Sequence, residues 1–176
     1  MRVVAGEARG RPLQAPTGNR TRPTSDRVRE SIFNMLFSLG ATEGAEVVDL
    51  YAGCGALGIE ALSRGAKSCT FVERDARAID CIKENLETLG YADRATVVSS
   101  DVATWLAATN NGFGLALADP PYADEEWTDL LDQIDCRFLV AESGGALESH
   151  ERWKVAREKA YGTTVVTVLE RQLGFS

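Results

Sequence analysis

The stretch Val47-Val48-Asp49-Leu50-Tyr51-Ala52-Gly53-Cys54-Gly55-Ala56-Leu57-Gly58 places a Gly-x-Gly-x-x-Gly pattern between an apolar run and a helical run. A strand, a glycine turn and a helix in this order bind nucleotide-like ligands, because glycines let the backbone approach the ligand closely. Glu73 follows Gly53 by 20 residues, at the end of the next apolar run. That spacing fits a dinucleotide as well as S-adenosylmethionine.

Asp49, at the end of the first predicted strand, separates these two ligands. A dinucleotide would put its pyrophosphate at the start of the following helix, where a neighbouring carboxylate repels it. S-adenosylmethionine carries an ammonium and a sulfonium there, which a carboxylate attracts. We therefore expect S-adenosylmethionine as the cofactor, with Asp49 near its methionyl group, Gly53 and Gly55 along it, and Glu73 accepting from the ribose hydroxyls.

Asp101 follows a third apolar run and has two interpretations. It can accept from the adenine amino group of the cofactor while Val102 packs on the adenine ring. It can equally be the N-cap of a helix, a position that aspartate favours. The sequence leaves both open.

Outward from the glycine loop, short apolar runs alternate with helical stretches, which predicts an α/β fold with a largely parallel sheet. We expect a Rossmann-like class I methyltransferase fold, with a seven-stranded sheet, a C-terminal antiparallel hairpin and a short N-terminal extension. We predict that residues 1–23 form the N-terminal extension and that residues 24–176 form the methyltransferase domain. Strands are predicted at 46–50, 68–73, 95–99, 113–118, 137–141, 154–159 and 163–170. Helices are predicted from Thr24 or Ser25 to Gly40, at 57–63, at 76–89 and near 125–134.

Charge is distributed unevenly along the chain. Residues 1–29 hold seven arginines and two acidic residues, a charge of +5, while the whole chain carries −7 and the remainder therefore −12. A basic segment on an acidic body indicates contact with a polyanion, with a solvated basic tail as the alternative. The residues expected to contact this polyanion, which the family resemblance given below implies is RNA, are Arg9, Arg11, Arg22, Arg27 and Arg29.

Several classes of protein do not match this composition. No apolar run approaches the roughly 20 residues needed to cross a bilayer, and the start lacks a secretion signal, so we expect a cytoplasmic protein without membrane contact. The four cysteines form no Cys-x-x-Cys pair and His150 is the single histidine, so we expect buried thiols and no metal. Oligomeric state cannot be read from these features, and we expect a monomer.

The tetrapeptide Asp119-Pro120-Pro121-Tyr122 follows an apolar strand and carries the predicted chemistry. An exocyclic amino group on a base is a poor nucleophile and needs hydrogen-bond acceptors to orient it. Asp119 offers carboxylate oxygens and Pro120 a carbonyl, while the prolines contribute no competing N–H. Tyr122 can stack on an extruded base. In isolation a Pro-Pro turn is usually structural, but beside the glycine loop it indicates amino-group methylation.

The chain closely resembles the RsmD family of bacterial 16S ribosomal RNA guanine-N2 methyltransferases over nearly its whole length. The most selective match is Arg-Pro-Thr-Ser-Asp-Arg-Val-Arg-Glu at 22–30, with further matches at 2–6, 9–11, 49–58 and 119–122. The resemblance implies methyl transfer from S-adenosylmethionine to the 2-amino group of guanine 966 in the small ribosomal subunit or an assembly intermediate. Tyr51 stands where the family often has Phe, and Cys54 where it has Ser or Thr; neither change removes a carboxylate or a glycine.

Three alternatives remain. An adenine-N6 methyltransferase could use the same Asp-Pro-Pro-Tyr. An NAD-dependent oxidoreductase would fit the glycine pattern but lacks an evident hydride-relay side chain. A noncatalytic RNA-binding module would have no need of acceptor groups at the cofactor edge.

Overall fold

The computed structural model describes residues 1–17, 24–121 and 127–174, which form a seven-stranded sheet with helices on both faces. The strands are β1 Glu46–Leu50, β2 Ser68–Glu73, β3 Ala95–Ser99, β4 Phe113–Ala118, β5 Cys136–Ser143, β6 Trp153–Tyr161 and β7 Thr164–Arg171. The helices are α1 Asp26–Ser38, α2 Ala56–Ser63, α3 Ala76–Leu89, α4 Val102–Ala108 and α5 Trp127–Gln133. A short 3-10 turn at Ala92–Arg94 precedes β3.

The sheet order is β3-β2-β1-β4-β5-β7-β6. The first five strands are parallel, and β7 runs antiparallel to both β5 and β6. The predicted α/β class, the largely parallel sheet and the antiparallel C-terminal hairpin are confirmed. The structure adds that β7 lies between β5 and β6.

Alternation along the strands divides the apolar core into two layers. Val47 and Leu115 face the layer that contains α1, α2 and α3, while their neighbours Val48 and Ala116 face the layer that contains α4 and α5. Fully burying a side chain such as Leu115 contributes about 1.5 to 3 kcal/mol. Because both faces are covered, the parallel strands are apolar at successive positions.

Local signals set the helix ends. The Ser25 hydroxyl accepts from the Val28 N–H at 3.3 Å and caps α1, as the sequence predicts. Gly40 then takes a left-handed φ of +62°, which stops the helix from continuing. In the same way Asp75 caps α3, and Gly90, with φ of +74°, closes it.

The N-terminal segment packs onto the domain. Val3 and Leu13 are buried in the α1–α2–α3 layer, and the segment folds back on itself with a bridge between Arg2 and Pro12. At Gly6, with φ of +84°, a Cβ atom would lie 2.0 Å from the Ser63 carbonyl oxygen, so only glycine fits. Val3, Ala8 and Leu13 thus anchor residues 1–17 to the core; residues 18–23 of the predicted extension lie outside the described residues.

All four cysteines are free and buried, as expected. Burial raises the pKa of Cys54 and Cys69, which disfavours their reactive thiolate forms. In the part of the chain that the structure describes, no helix has the length and apolar character needed to cross a membrane.

Candidate active site

The sheet reverses its direction of growth at β1, which lies between β2 and β4. In open α/β sheets, ligands bind beyond the carboxyl ends of the strands at such a point. Leu50 of β1 pairs with Val72 of β2 and Ala118 of β4, and Ala118 pairs with Ala141 of β5. The residues that follow these four are Tyr51, Glu73, Asp119 and Glu142. Three carboxylates therefore stand along the edge where a ligand is expected.

Asp49 reaches from β1 into the start of α2. Its Oδ2 accepts from the Gly58 N–H at 2.9 Å, and its side chain is 2% exposed. Burial raises its pKa well above the ordinary range, the Gly58 hydrogen bond opposes that rise, and nearby Asp119 and Glu73 add to it. Asp49 thus holds the glycine loop from inside, which the sequence did not reveal, and it adds an acidic group beneath the site.

Glu73 fastens the glycine loop from the other side. Its Oε2 accepts from the Gly53 N–H at 2.8 Å, and its Oε1 accepts from the N–H groups of Arg74 and Asp75 at 2.8 and 2.9 Å. The spacing of 20 residues between Gly53 and Glu73 is therefore a direct contact. A carboxylate has about four lone-pair positions, so Glu73 keeps acceptor capacity for a ribose hydroxyl.

The glycines of the loop serve different purposes. Gly53 has φ of +58° and open space around the position of a Cβ atom, so its backbone can be approached. Gly55 has φ of +83° and sits against Phe71. At Gly58 a Cβ atom would lie 2.4 Å from the Phe71 ring, so this glycine allows α2 to pack on β2. Tyr51, at the start of the loop, has φ of +57°, a left-handed conformation rare for a bulky residue.

Asp101 caps α4, accepting from the Thr104 N–H at 2.9 Å. That hydrogen bond lowers the pKa of the exposed Asp101 carboxyl. The N-cap interpretation is confirmed, and an adenine contact by Asp101 stays a prediction. Val102 is buried in the α4–α5 layer, with 5% of its surface exposed, which limits how much of it an adenine ring could touch.

Asp119 and Glu142 share a single hydroxyl. The Oγ1 of Thr24 lies 3.2 Å from Asp119 Oδ2 and 3.1 Å from Glu142 Oε1. Burial raises the pKa of Asp119 to about 6, against the effect of the Thr24 hydrogen bond. Burial and then the charge of Asp119 raise the pKa of Glu142 to about 8. Pro120 follows at the half-buried end of β4, and Tyr122 lies outside the described residues.

Glu142 was missed by the sequence analysis. The signal was present, because Glu142 follows the apolar run of β5 as Asp119 follows that of β4. Without the register of the two strands, however, Glu142 could not be distinguished from a carboxylate in an exposed turn. The side chain is 8% exposed.

The predicted RNA-contacting arginines divide into two groups. Arg9, Arg11 and Arg27 are exposed, and Arg9 and Arg27 line a surface cavity of about 390 Å³ between the N-terminal segment and α1. Arg2 lines the same cavity and was not among the predicted residues. Arg22 lies outside the described residues.

Arg29 requires a correction, because its side chain is fully buried. Its guanidinium donates to the Arg2 carbonyl and to Asp26, and its Nε lies 3.4 Å from Glu60 Oε2. Glu60, also fully buried, accepts from the Val4 N–H at 2.9 Å. Arg29 therefore joins the N-terminal segment to α1 and α2 and is removed from the expected RNA contacts.

The acidic side chains at the sheet edge suit a cationic ligand. Among the described residues, Asp49, Glu73, Asp119 and Glu142 take part in no ion pair, although Asp119, Glu73 and Glu142 are close enough to raise the pKa of Asp49. In the part of the chain that the structure describes, no group of His, Cys, Asp and Glu side chains is arranged to hold a metal ion. An organic cation, such as the ammonium or sulfonium of S-adenosylmethionine, would supply the missing positive charge.

Comparisons with known proteins agree with this architecture. A family model described as Conserved hypothetical protein 95 matches residues 1–170. The Bacillus subtilis protein YlbH, described provisionally as an rRNA methyltransferase, is 39% identical over 98% of this chain and the whole of its own length. Ribosomal RNA small subunit methyltransferase D of Escherichia coli K12 is 35% identical over 98% of this chain and 90% of its own.

A solved structure extends the comparison to three dimensions. Escherichia coli yhhF, described provisionally as a methyltransferase, superimposes with a TM-score of 0.86 at 33% identity, covering 98% of each chain. At 14% and 13% identity the same fold occurs in a Streptococcus mutans protein described provisionally as a SAM-dependent methyltransferase and in SMU.776, described provisionally as a methyltransferase and solved in complex with SAH.

Proposed function

This chain belongs to the RsmD family of ribosomal RNA methyltransferases, and from that membership we propose that it transfers a methyl group to the 2-amino group of one guanine in 16S ribosomal RNA. The proposed target is guanine 966 of the small subunit or an assembly intermediate. The observation that carries the proposal is the position of Asp119-Pro120 directly after β4, whose last residue Ala118 pairs with Leu50 at the end of β1, next to the glycine loop.

The cofactor is S-adenosylmethionine, which supplies an electrophilic methyl group on a sulfonium. We assign its binding to the loop of Gly53 and Gly55, with Glu73 at the ribose. Asp49 fixes the loop through Gly58 and places a carboxyl group below the methionyl group, whose positive charge would favour the ionised form against the effect of burial. Asp101 and Val102 are proposed at the adenine end.

Asp119 and the Pro120 carbonyl are proposed to accept the two amino protons of the guanine and so aim its nitrogen at the methyl group. Holding the reacting atoms in line can supply a large part of the rate enhancement. After transfer the nitrogen carries an extra proton. Asp119, whose pKa is raised by burial to about 6, is placed to receive it. Tyr122 is proposed to stack on the extruded base.

The exposed arginines of the N-terminal region are proposed to bind the RNA backbone. Arg9 and Arg27 line one cavity of an otherwise acidic protein, Arg11 is exposed elsewhere on the N-terminal segment, and Arg22 is a further proposed contact. Such a distribution directs a folded RNA toward this face, while the acidic body repels nonspecific binding.

The test is a methylation assay with labelled S-adenosylmethionine and 16S-containing particles taken at several stages of assembly. The modified RNA is digested to nucleosides, and the position of the label is mapped. N2-methylguanosine at one site is the expected product. N6-methyladenosine would favour the adenine enzyme, whereas nicotinamide binding without labelled product would favour an oxidoreductase. RNA binding without turnover would indicate a noncatalytic module.

A further inference from the structure

Glu142 and Asp119 stand side by side on adjacent strands. Ala118 and Ala141 form the last pair between β4 and β5, so the next residue of each strand is one of these two carboxylates. Alternation along the strands directs both toward the α1 side of the sheet, where Leu117 and Val140 are also buried. The meeting of both carboxylates with Thr24, just ahead of α1, follows from this register.

The pair has too few donors. One hydroxyl hydrogen can be donated to only one carboxylate, yet Thr24 Oγ1 lies within hydrogen-bonding distance of both. In the free protein a proton on Glu142 supplies the second donor hydrogen, because burial and the charge of Asp119 raise the pKa of Glu142 to about 8. Glu142 then donates to Thr24, and Thr24 donates to Asp119. Two donor hydrogens on a ligand would satisfy both carboxylates instead.

Guanine carries two such donors next to each other. Its 2-amino group adjoins a ring N1–H, whereas the amino groups of adenine and cytosine adjoin a ring nitrogen that accepts hydrogen bonds. Enzymes that extrude a base read its Watson–Crick edge in this way. Two neighbouring carboxylates therefore match the amino and ring N–H edge of guanine and reject a base that presents an acceptor at the second position.

We propose that Glu142 is the residue that selects guanine, accepting its N1–H while Asp119 accepts from the 2-amino group. This inference rests on the proposed function of the same site. No bond of the base breaks at N1: Glu142 releases its own proton to solvent, and the base keeps its N1 hydrogen. Thr24 is a positioning residue, which holds both carboxylates in place through its hydroxyl.

The test compares target RNA containing guanine with the same RNA containing 2-aminopurine at that position. 2-Aminopurine keeps the 2-amino group but has an acceptor at N1. At about pH 8.5, where Glu142 is largely ionised, we expect the wild type to prefer guanine in kcat/KM by about 100-fold, because an analogue that lacks a bonded hydrogen leaves a buried carboxylate unpaired. Glu142→Gln should reduce that preference to about 10-fold or less, because an amide can donate to the ring nitrogen. Glu148→Gln, an exposed carboxylate beyond β5, is the matched control and should keep the wild-type preference.

A second measurement needs no variant. Only protonated Glu142 can donate to the N1 of 2-aminopurine, so the wild-type preference for guanine should rise between about pH 6.5 and 8.5 as Glu142 loses its proton. The titratable groups that face Glu142 are Asp119 on β4 and Asp49 on β1, and its partner on β7 is the uncharged Val166. Asp119, with a pKa of about 6, is ionised through most of this range.

The outcomes separate the two proposals. Absence of guanine methylation by the wild type would reject the proposed function and this inference with it. Guanine methylation with the same preference in Glu142→Gln as in the wild type would reject the inference alone. If the Glu142→Gln variant does not fold, the wild type still tests the inference. A wild-type preference for guanine over 2-aminopurine that does not change between about pH 6.5 and 8.5 would reject the inference alone.

Discussion

Two groups of buried charge lie on the same side of the sheet, and they are constructed in opposite ways. Around Glu60, an acid is matched by Arg29 and Arg64 and by backbone N–H groups of the N-terminal segment. Around Asp119, two acids share one hydroxyl, and no described cation pairs with them. In the first group the acid is paired with cations of the protein itself, whereas the second group has no such cation among the described residues and is held in the free protein by the Thr24 hydroxyl and a proton on Glu142.

The difference distinguishes a structural role from a functional one. Breaking a matched buried pair leaves an unpaired charge, which costs stability. A group of like charges is already unfavourable, which is why the pKa values of Asp119 and Glu142 are raised. Changing the first group should therefore unfold the protein, while changing the second should stop its chemistry and can even stabilise the fold.

The largest expected effect is on turnover. Asp119→Ala should lower kcat by about 1,000-fold or more, since the amino group loses the acceptor that orients it. Equilibrium dialysis should find S-adenosylmethionine affinity within about twofold of the wild type, because Gly53, Gly55 and Glu73 are intact. Thermal unfolding serves as the folding control. Turnover close to that of the wild type would contradict the role of Asp119.

The next effect is on stability. Glu60→Ala should lower the free energy of unfolding by about 3 to 5 kcal/mol, because Arg29 and Arg64 lose a buried carboxylate partner and the N–H groups of Val4 and Ala5 lose their acceptor. Glu46→Ala is the matched control: it breaks an ion pair with Lys67 whose two side chains are 52% and 68% exposed, and should cost less than about 1 kcal/mol. Urea unfolding measures both. Equal losses in the two variants would contradict the contrast between matched buried charge and surface charge.

A smaller effect of the opposite sign is expected at Glu142. The ordinary pKa of this carboxyl is 4.5 and its folded value is about 8, so the unfolded chain loses the proton first as pH rises. Ionisation of Glu142 therefore removes stability progressively between about pH 4.5 and 8. Glu142→Gln should gain about 2 kcal/mol, or roughly 4 to 8 °C in Tm, at pH 8 and little at pH 5.

Differential scanning calorimetry at the two pH values measures this gain. Glu148→Gln again provides the control, because its carboxylate is exposed and its removal should change Tm equally little at both pH values. If Glu142→Gln is no more stable than the wild type at pH 8, the ionised Glu142 beside Asp119 does not lower the free energy of unfolding, which contradicts the prediction.

The smallest effect distinguishes the exposed arginines of the N-terminal region from exposed arginines elsewhere on the protein. Arg9→Ala with Arg27→Ala should weaken RNA binding and reduce the slope of log affinity against log salt by up to about 2, with the Tm nearly unchanged. The double change Arg77→Ala with Arg137→Ala removes the same charge from α3 and β5 and should leave the slope as it is. Filter binding at several salt concentrations measures both. An identical slope in all three proteins would remove Arg9 and Arg27 from the RNA interface.

Much of the fold could be predicted because its signals are local. The apolar runs of β1 to β4 and the cap and glycine of α3 define those elements without reference to the rest of the chain. The ends of β5 were less accurate: 137–141 was predicted against Cys136–Ser143. The reason is physical, since Glu142 is polar and reads as a turn residue, and only pairing with β7 keeps it in the strand.

The candidate site was predictable in its parts but not in its pairings. The sequence analysis identified three site residues because each lies at the end of a strand or in a turn: Asp119, Gly53 and Glu73. Arg29 was assigned to the RNA contacts because it belongs to the basic stretch of residues 1–29, and its buried partner Glu60 lies 31 positions away on another helix. Such contacts depend on how helices pack, which periodicity does not encode.

The placement of β7 between β5 and β6 has a consequence for biosynthesis. β7 follows β6 in the chain, so a nascent protein exposes an unpaired edge of β5 until the residues around Val166 have been made. The glycine loop, formed by earlier strands, has all of its partners by then. A growing polypeptide could thus complete its cofactor loop before the partner strand that fixes Glu142 is in place, and a protein truncated before β7 would lack the strand that pairs with β5 at Glu142.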